Sequence, residues 1–477
     1  MIGRRMFLGG AAALVANAAA ARPAARPRPT VSAEDAVAAA GLSGAVSYVL
    51  ADAETGAVIA AREPDRPMPP ASTMKALTAI LAMQRLGAQH RFVTRLVATG
   101  PIAGGQVQGD LVLAGGGDPL LDSDDLAVLA ADLAAAGVRG VTGRFVIWNG
   151  AIPNRAQIAE GQPVHAAYNP TVSGLMLNFN RVHLEWRKAG ADVTLSLDAR
   201  AGRHVPQAHT ITAAVAPRDL PLFTHDLRGG VEHWTVASGA LGRAGARWLP
   251  VRNPAAYAGD VFQTLARAQG VTLPPPVERH DLPTGDEIAR HLSPPLTEIL
   301  TGMLRHSTNL TAEAVGLAAT GAADQAASAQ AMRDALWHQV PLGRAVLLDH
   351  SGLNGASWIT AAGMAQALAL AGPGAHLPAL LRAHEVTDAA ARQAKLPGAL
   401  VQAKTGTLNF SSNLVGYLTP AGGKPMVFAI LTEDAARRAA VAGSGLDLPA
   451  GVEGWTRRSR ALQNRLLEIW ATSPAAA

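Results

Sequence analysis

The sequence predicts an α+β fold in which strand-rich inserted domains split a domain built from both ends of the chain. Three observations predict it. Two short apolar runs and a helical stretch come first. A strand-rich block then runs from about residue 91 to residue 282. Mostly helical texture follows and leads into a strand hairpin and a closing helix.

Residues 46–50 and 57–61 are short apolar runs joined by Asp52-Ala53-Glu54-Thr55-Gly56, the pattern of a hairpin. Pro69-Pro70-Ala71 breaks the chain before a helix over residues 72–86, whose Leu77, Ile80, Leu81 and Met83 make an apolar face. Strand-like segments recur at 92–99, 110–114, 144–148, 176–186, 192–197 and 209–215. Helices are expected at 126–136 and 254–270, and residues 172–187 and 192–197 form a long hairpin across Gly190. From Ser293 onward the pattern gives helices at 296–305, 310–319, 325–337, 361–371 and 377–383. Strands at 414–418 and 426–431 join through Pro420-Ala421-Gly422-Gly423, and a last helix spans 455–470. The expected division is a leader over 1–21, a first part of the split domain over 22–91, the insert over 92–285 and the second part over 286–477.

Composition narrows the function. Apolar residues make up 49% and charged residues 16%, which suits a folded chain. The net charge of +5 is spread without a Lys/Arg-rich run and aromatics are 4%, so no nucleic-acid partner is expected. The absence of cysteine excludes disulfides, a Cys-ligated zinc, a thiol nucleophile and a lipobox. Arg4-Arg5-Met6-Phe7-Leu8 precedes an apolar run to Val15, then the small-residue sites Ala16-Asn17-Ala18 and Ala19-Ala20-Ala21. That order is a secretory signal, here of twin-arginine type; an ordinary Sec signal with two adjacent arginines is the alternative. Both predict export to the periplasm. No later stretch of 18 apolar residues predicts another membrane span. Residues 21–30 read as a linker.

Three short motifs carry the chemistry. Ser72-Thr73-Met74-Lys75 is an S-x-x-K where a helix should start. Ser307-Thr308-Asn309 is an S-x-N, and Lys404-Thr405-Gly406 is a K-T-G just before the strand hairpin. This ordered set is the one expected of β-lactamases and penicillin-binding proteins. A serine hydroxyl is a weak nucleophile that needs an adjacent base. Three-residue spacing on a helix puts Lys75 on the face of Ser72. Burial and a second cation, Lys404, would lower the proton affinity of Lys75 so that it can act as that base. Lys404 and Thr405 would bind a terminal carboxylate, and the amide of Ser72 at a helix start can donate to an oxyanion. Each motif alone also has a structural reading: Ser72 as an N-cap, residues 307–309 as a cap for the next helix, residues 404–406 as a strand end. A second S-x-N, Ser411-Ser412-Asn413, shows how readily that pattern arises.

With these residues in hand, the chain resembles the penicillin-binding protein 4 type of D-Ala-D-Ala carboxypeptidase/endopeptidase, the peptidase S13 family. The resemblance spans nearly all of the mature chain. It includes Gly109-Asp110-Leu111, Gly115-Gly116-Gly117-Asp118-Pro119-Leu120, Tyr168, residues 175–180, and Asn253-Pro254 with Tyr257 and Phe262. It continues through residues 291–296, Ser307-Thr308-Asn309-Leu310-Thr311-Ala312-Glu313, Asp349-His350-Ser351-Gly352-Leu353-Asn354 and Lys404-Thr405-Gly406-Thr407-Leu408. It implies a β-lactamase/transpeptidase-like domain, an antiparallel sheet flanked by helices, acting on peptidoglycan peptides and acylated by β-lactams. By the same resemblance Ser72 is acylated, Lys75 is the base, and Ser307 with Asn309 assists proton transfer. Lys404, Thr405 and Gly406 line the substrate strand, and the Thr407 amide is the second oxyanion donor. Three positions depart from the family pattern. Thr308 stands where Asp or Asn is more usual, His350 stands where Gly is more usual, and residues 161–165 before Tyr168 lack the acid of some relatives, Glu160 being the nearest.

Residues 115–118 lack the pattern of a phosphate loop and read as a tight turn. No His-Glu-x-x-His occurs, so no metal or cofactor is expected. A β-lactamase or esterase of the same fold is one rival function, although the class A Glu-x-x-Leu-Asn motif is missing. A catalytically idle wall-binding protein is the other.

Overall fold

The computed structural model describes residues 31–472 except 191, 373–375, 388–395, 397, 445 and 447. The expected leader over residues 1–21 lies outside the described residues.

A six-stranded antiparallel sheet organises the molecule. Its order is Arg382–Ala383, Leu400–Leu408, Ser411–Thr419, Met426–Glu433, Ala45–Asp52, Val58–Arg62. Strands from the start and end of the chain are thus neighbours, with Ala45 opposite Glu433. Period-2 alternation sorts the side chains onto two faces. Val49, Ala51, Val415, Tyr417, Val427 and Ala429 pack against the helices Met74–Arg85, Leu296–His306 and Ala361–Ala371. Tyr48, Leu50, Leu414, Phe428 and Ile430 face the other way, against Leu462, Leu466 and Trp470 of the last helix, Val452–Thr472. The result is three layers, helix on sheet on helix.

The residues between build other sheets. A five-stranded mixed sheet has the order Pro276–Arg279, Phe145–Trp148, Leu111–Ala114, Val93–Ala98, Asp286–Leu292. The expected boundary after residue 285 falls just before its edge strand Asp286–Leu292, so this sheet draws on residues from both sides. The helices Ser123–Ala135 and Pro254–Ala268 share a core with this sheet and with two three-stranded sheets. A separate cluster ties this region to the rest of the molecule. Ile152, Ile158, Val172 and Met176 pack on Leu310, Ala314 and Leu317 of the helix Asn309–Thr320.

Several elements differ from expectation. The K-T-G lies inside the strand Leu400–Leu408, which forms a hairpin with Ser411–Thr419, rather than ahead of a hairpin. The expected strand at 176–186 begins only at Arg181, because Asn178, Phe179 and Asn180 all take positive φ. The helix expected over 377–383 stops at Leu380 and gives way to the strand Arg382–Ala383. Strands Phe223–Arg228, Val231–Ala237 and Ala244–Pro250 were not foreseen.

One side chain fixes the sheet to the serine segment. Asn413 is 1% exposed. Its Nδ2 donates to Pro69 O at 2.7 Å and Pro70 O at 2.9 Å, and its Oδ1 accepts from Thr432 N at 3.1 Å. The second S-x-N of the sequence is therefore a brace under the first motif. Asn413→Ala removes these three bonds, Pro70 O alone keeping Thr73 Oγ1 at 2.6 Å, and should cost about 3 kcal/mol of unfolding free energy in urea titrations; a loss under about 0.5 kcal/mol would show the brace to be idle.

Candidate active site

Ser72 sits on a single 3₁₀ turn, Ala71–Thr73, directly ahead of the helix Met74–Arg85. The α-helix thus starts two residues later than Ser72. Two close approaches hold this turn. Ala71 has φ +49, and a Cβ on Gly352 would lie 1.8 Å from its carbonyl oxygen. Only glycine, here at φ +74, lets the loop after Asp349 come so near. From the other side, a Cβ on Gly406 would lie 2.8 Å from Pro70 O and 3.0 Å from Thr73 N. The glycine of K-T-G thus lets its strand close on the serine turn.

Lys75 is 0% exposed. Its Nζ donates to Ser72 Oγ at 3.1 Å, Asn309 Oδ1 at 2.7 Å and the Ser351 carbonyl at 2.7 Å. Burial, and then the charge of Lys404, hold the amine well below the ordinary lysine range, while Asp349 and Glu313 oppose that shift. Lys404 is 2% exposed, and its Nζ donates to Ser307 Oγ at 3.1 Å and Thr405 O at 2.7 Å. Burial lowers it to about 8. Ser307 itself is left-handed, φ +58, at the end of the helix Leu296–His306. Such a conformation is costly for a residue with a Cβ and turns the chain sharply between two helices. That turn puts Ser307 and Asn309 on the same cleft.

The structure therefore brings all three motifs together. Ser72, Ser307, Asn309 and Thr407 line one cleft of about 1190 Å³. Lys75 and Lys404 reach it from behind. Alternation along the K-T-G strand buries Lys404 and Gly406 and leaves Thr405 and Thr407 exposed. His306, adjacent to Ser307, is exposed. Asp349 anchors its loop by accepting from Gly352 N at 3.1 Å, Asn354 N at 2.8 Å and Ser351 Oγ at 3.2 Å. The ring of His350 fills room left by Gly316, where a Cβ would lie 2.2 Å from it.

Sequence reasoning missed two contributors, both backbone carbonyls. One is Ser351 O on Lys75. The other is Tyr168 O, which accepts from Asn309 Nδ2 at 3.0 Å and joins the region before the S-x-N helix to the site. A carbonyl leaves no residue-type signal. A further signal was available for the amines: the chain holds only five lysines among its 41 basic residues, and two of them are in the motifs.

Known proteins resemble this chain in sequence and in fold. D-alanyl-D-alanine carboxypeptidase of Actinomadura sp. strain R39 is 29% identical over 429 residues, covering 82% of this chain and 78% of that one. D-alanyl-D-alanine carboxypeptidase DacB of Haemophilus influenzae is 26% identical over 382 residues, covering 75% and 79%. The crystal structure of penicillin-binding protein 4 from H. influenzae superposes with a TM-score of 0.73 at 21% identity, covering 92% of this chain and 99% of that one, so the fold is shared. That protein has also been solved in complex with a β-lactam, a structure that superposes with a TM-score of 0.71. The model of the D-Ala-D-Ala carboxypeptidase 3 (S13) family matches residues 31–446, and the chain belongs to that family.

Proposed function

We propose that the protein is an exported serine-type D-Ala-D-Ala carboxypeptidase/endopeptidase that hydrolyses peptidoglycan stem peptides or crosslinks through an acyl-enzyme, and that penicillin acylates it. The observation that carries this reading is the 3.1 Å approach of a fully buried amine, Lys75 Nζ, to the hydroxyl of Ser72 at the cleft. Export through the leader over residues 1–21, to the periplasm, fits a wall substrate. The split domain, with its insert over 92–285, would frame the cleft.

The steps follow from the contacts. Neutral Lys75 takes the proton of Ser72 as Oγ attacks the carbonyl carbon of the penultimate D-Ala. The amides of Ser72 and Thr407 receive the oxyanion. The proton taken by Lys75 is relayed through the Ser307 hydroxyl to the departing nitrogen, so both side chains return to their starting states as the C–N bond breaks and D-Ala or the amine of a crosslinked neighbour leaves. Water then cleaves the ester and restores Ser72. Lys404, with Thr405, holds the terminal carboxylate, and Asn309 keeps Lys75 aligned. A β-lactam enters by the same attack, its ring C–N bond opening in place of the peptide's.

Ser72→Ala should abolish covalent labelling by a fluorescent penicillin while the variant keeps the parent melting temperature. A label that persists for minutes on the parent supports the peptidase reading, and one lost within seconds favours a β-lactamase. Mass analysis of digested crosslinked muropeptides then separates loss of D-Ala from cleavage of the crosslink.

Acylation depends on pH through two amines with opposite requirements. Lys75 acts when neutral, so the rate falls as pH drops through its lowered midpoint. Lys404 holds a carboxylate when charged, so the rate falls again as pH rises through about 8. Lys404→Arg keeps the charge at all accessible pH and should remove the alkaline limb; a limb that stays in place would assign it to another group.

A further inference from the structure

Glu313, Asp349 and His350 are all 0% exposed, lie behind Lys75 and take no part in the steps above. A buried carboxylate is costly unless hydrogen bonds or opposite charge compensate it. Asp349 spends its oxygens on its own loop, as described. His350 is held down to about 4 by burial and so is neutral at ordinary pH, with Nε2 2.7 Å from Ser328 Oγ. Glu313 is different, because its hydrogen bonds shape the environment of the lysine.

Glu313 lies one helical turn after Asn309 on the helix Asn309–Thr320, so both side chains share a face. Asn309 meets Lys75 directly. Glu313 meets it through two peptide groups. Its Oε1 accepts from Ser351 N at 2.9 Å and His350 N at 3.1 Å, and its Oε2 accepts from Gln325 Nε2 at 2.9 Å. The carbonyl of the same Ser351 is the one that accepts from Lys75. The carbonyl of His350 accepts at 2.7 Å from Thr78 Oγ1, three residues along the serine helix from Lys75. The backbone of residues 350–351 is therefore clamped between a carboxylate on one helix and the base on another.

We propose that Glu313 is a positioning residue for acylation, fixing the backbone of residues 350–351, and with it the Ser351 carbonyl, against Lys75. The inference rests on the acyl-enzyme reading above. The charged groups around Lys75 come from three elements: Lys404 from the K-T-G strand, which lowers its proton affinity, and Asp349 from its loop with Glu313 from the S-x-N helix, which raise it. Asp349 is itself raised to about 6 by burial and then by Glu313. Burial pushes the Glu313 carboxyl itself upward, opposed by its donors on Ser351, Gln325 and His350 and by the charge of Lys75, and replacing its charged form by an amide shifts both groups the same way, to lower pH.

The test is the pH dependence of penicillin acylation in the parent, Glu313→Gln and Thr78→Val, together with NMR titration of [ε-¹³C]lysine-labelled protein, whose five lysines give a sparse spectrum. Glu313→Gln should move both the acid limb and the Lys75 midpoint to lower pH. Thr78→Val keeps every charge but frees one end of the clamped segment, and should slow acylation about tenfold with the acid limb unmoved. A parental limb and a parental lysine midpoint in Glu313→Gln would overturn the proposal. So would a parental rate in Thr78→Val, which carries the test alone should Glu313→Gln fail to fold by circular dichroism. A parent that no penicillin acylates at any pH would instead strike at the reading of the reaction, and the lysine titration would still decide the role of Glu313.

Discussion

The site depends on keeping an amine in the dry interior with three oxygen partners and no carboxylate in direct contact. Lys75 meets Ser72 Oγ, Asn309 Oδ1 and Ser351 O, and all three are neutral. A neutral acceptor binds an ammonium less strongly than an ion-pair partner would, so burial dominates and the proton is held loosely. The three partners come from three separate segments. Each segment needs its own support: the positive-φ residue Ala71 at the serine turn, the left-handed Ser307 between two helices, and the Asp349-anchored loop with its obligatory Gly352. The fold's main task at this place is to converge them.

Much of the site was legible from residue type and spacing. Ser72, Lys75, Ser307, Asn309 and Lys404 could be singled out because a hydroxyl, a deprotonable amine and an amide at those separations serve one chemistry. The structure confirms that they meet. What stayed hidden was carried by backbone atoms, Ser351 O and Tyr168 O, or by a residue whose influence runs through backbone, Glu313. The α+β class was also legible, since the central strands read as near-continuous apolar runs, which a sheet covered on both faces buries throughout. Two kinds of strand were missed: those mostly half-buried or exposed, and Val231–Ala237, whose inward positions alternate but include the buried Glu232. Phe223–Arg228 buries only its first residue, and Asp286–Leu292 buries none fully, so neither carries a period-2 signal. The K-T-G strand was misplaced because Lys404 takes an inward position that an apolar residue would normally mark.

The region between the two halves of the sheet is more than a decoration of the surface. Its apolar residues Ile152, Ile158, Val172 and Met176 press on the helix that carries Asn309, and Tyr168 lends that asparagine a carbonyl. Tyr168, with 43% of its surface exposed, also lines the cleft. Substitutions far along the chain from any motif can therefore reach the alignment of Lys75.

The pairing of Ala45–Asp52 with Met426–Glu433 has a consequence for biosynthesis. Ser72 and the strand Ala45–Asp52 leave the ribosome well before the strand bearing Lys404 and the strand Met426–Glu433 that completes the sheet. Until Met426–Glu433 is made, Ala45–Asp52 lacks its partner, and the slow closure of so distant a contact delays the assembly of the cleft.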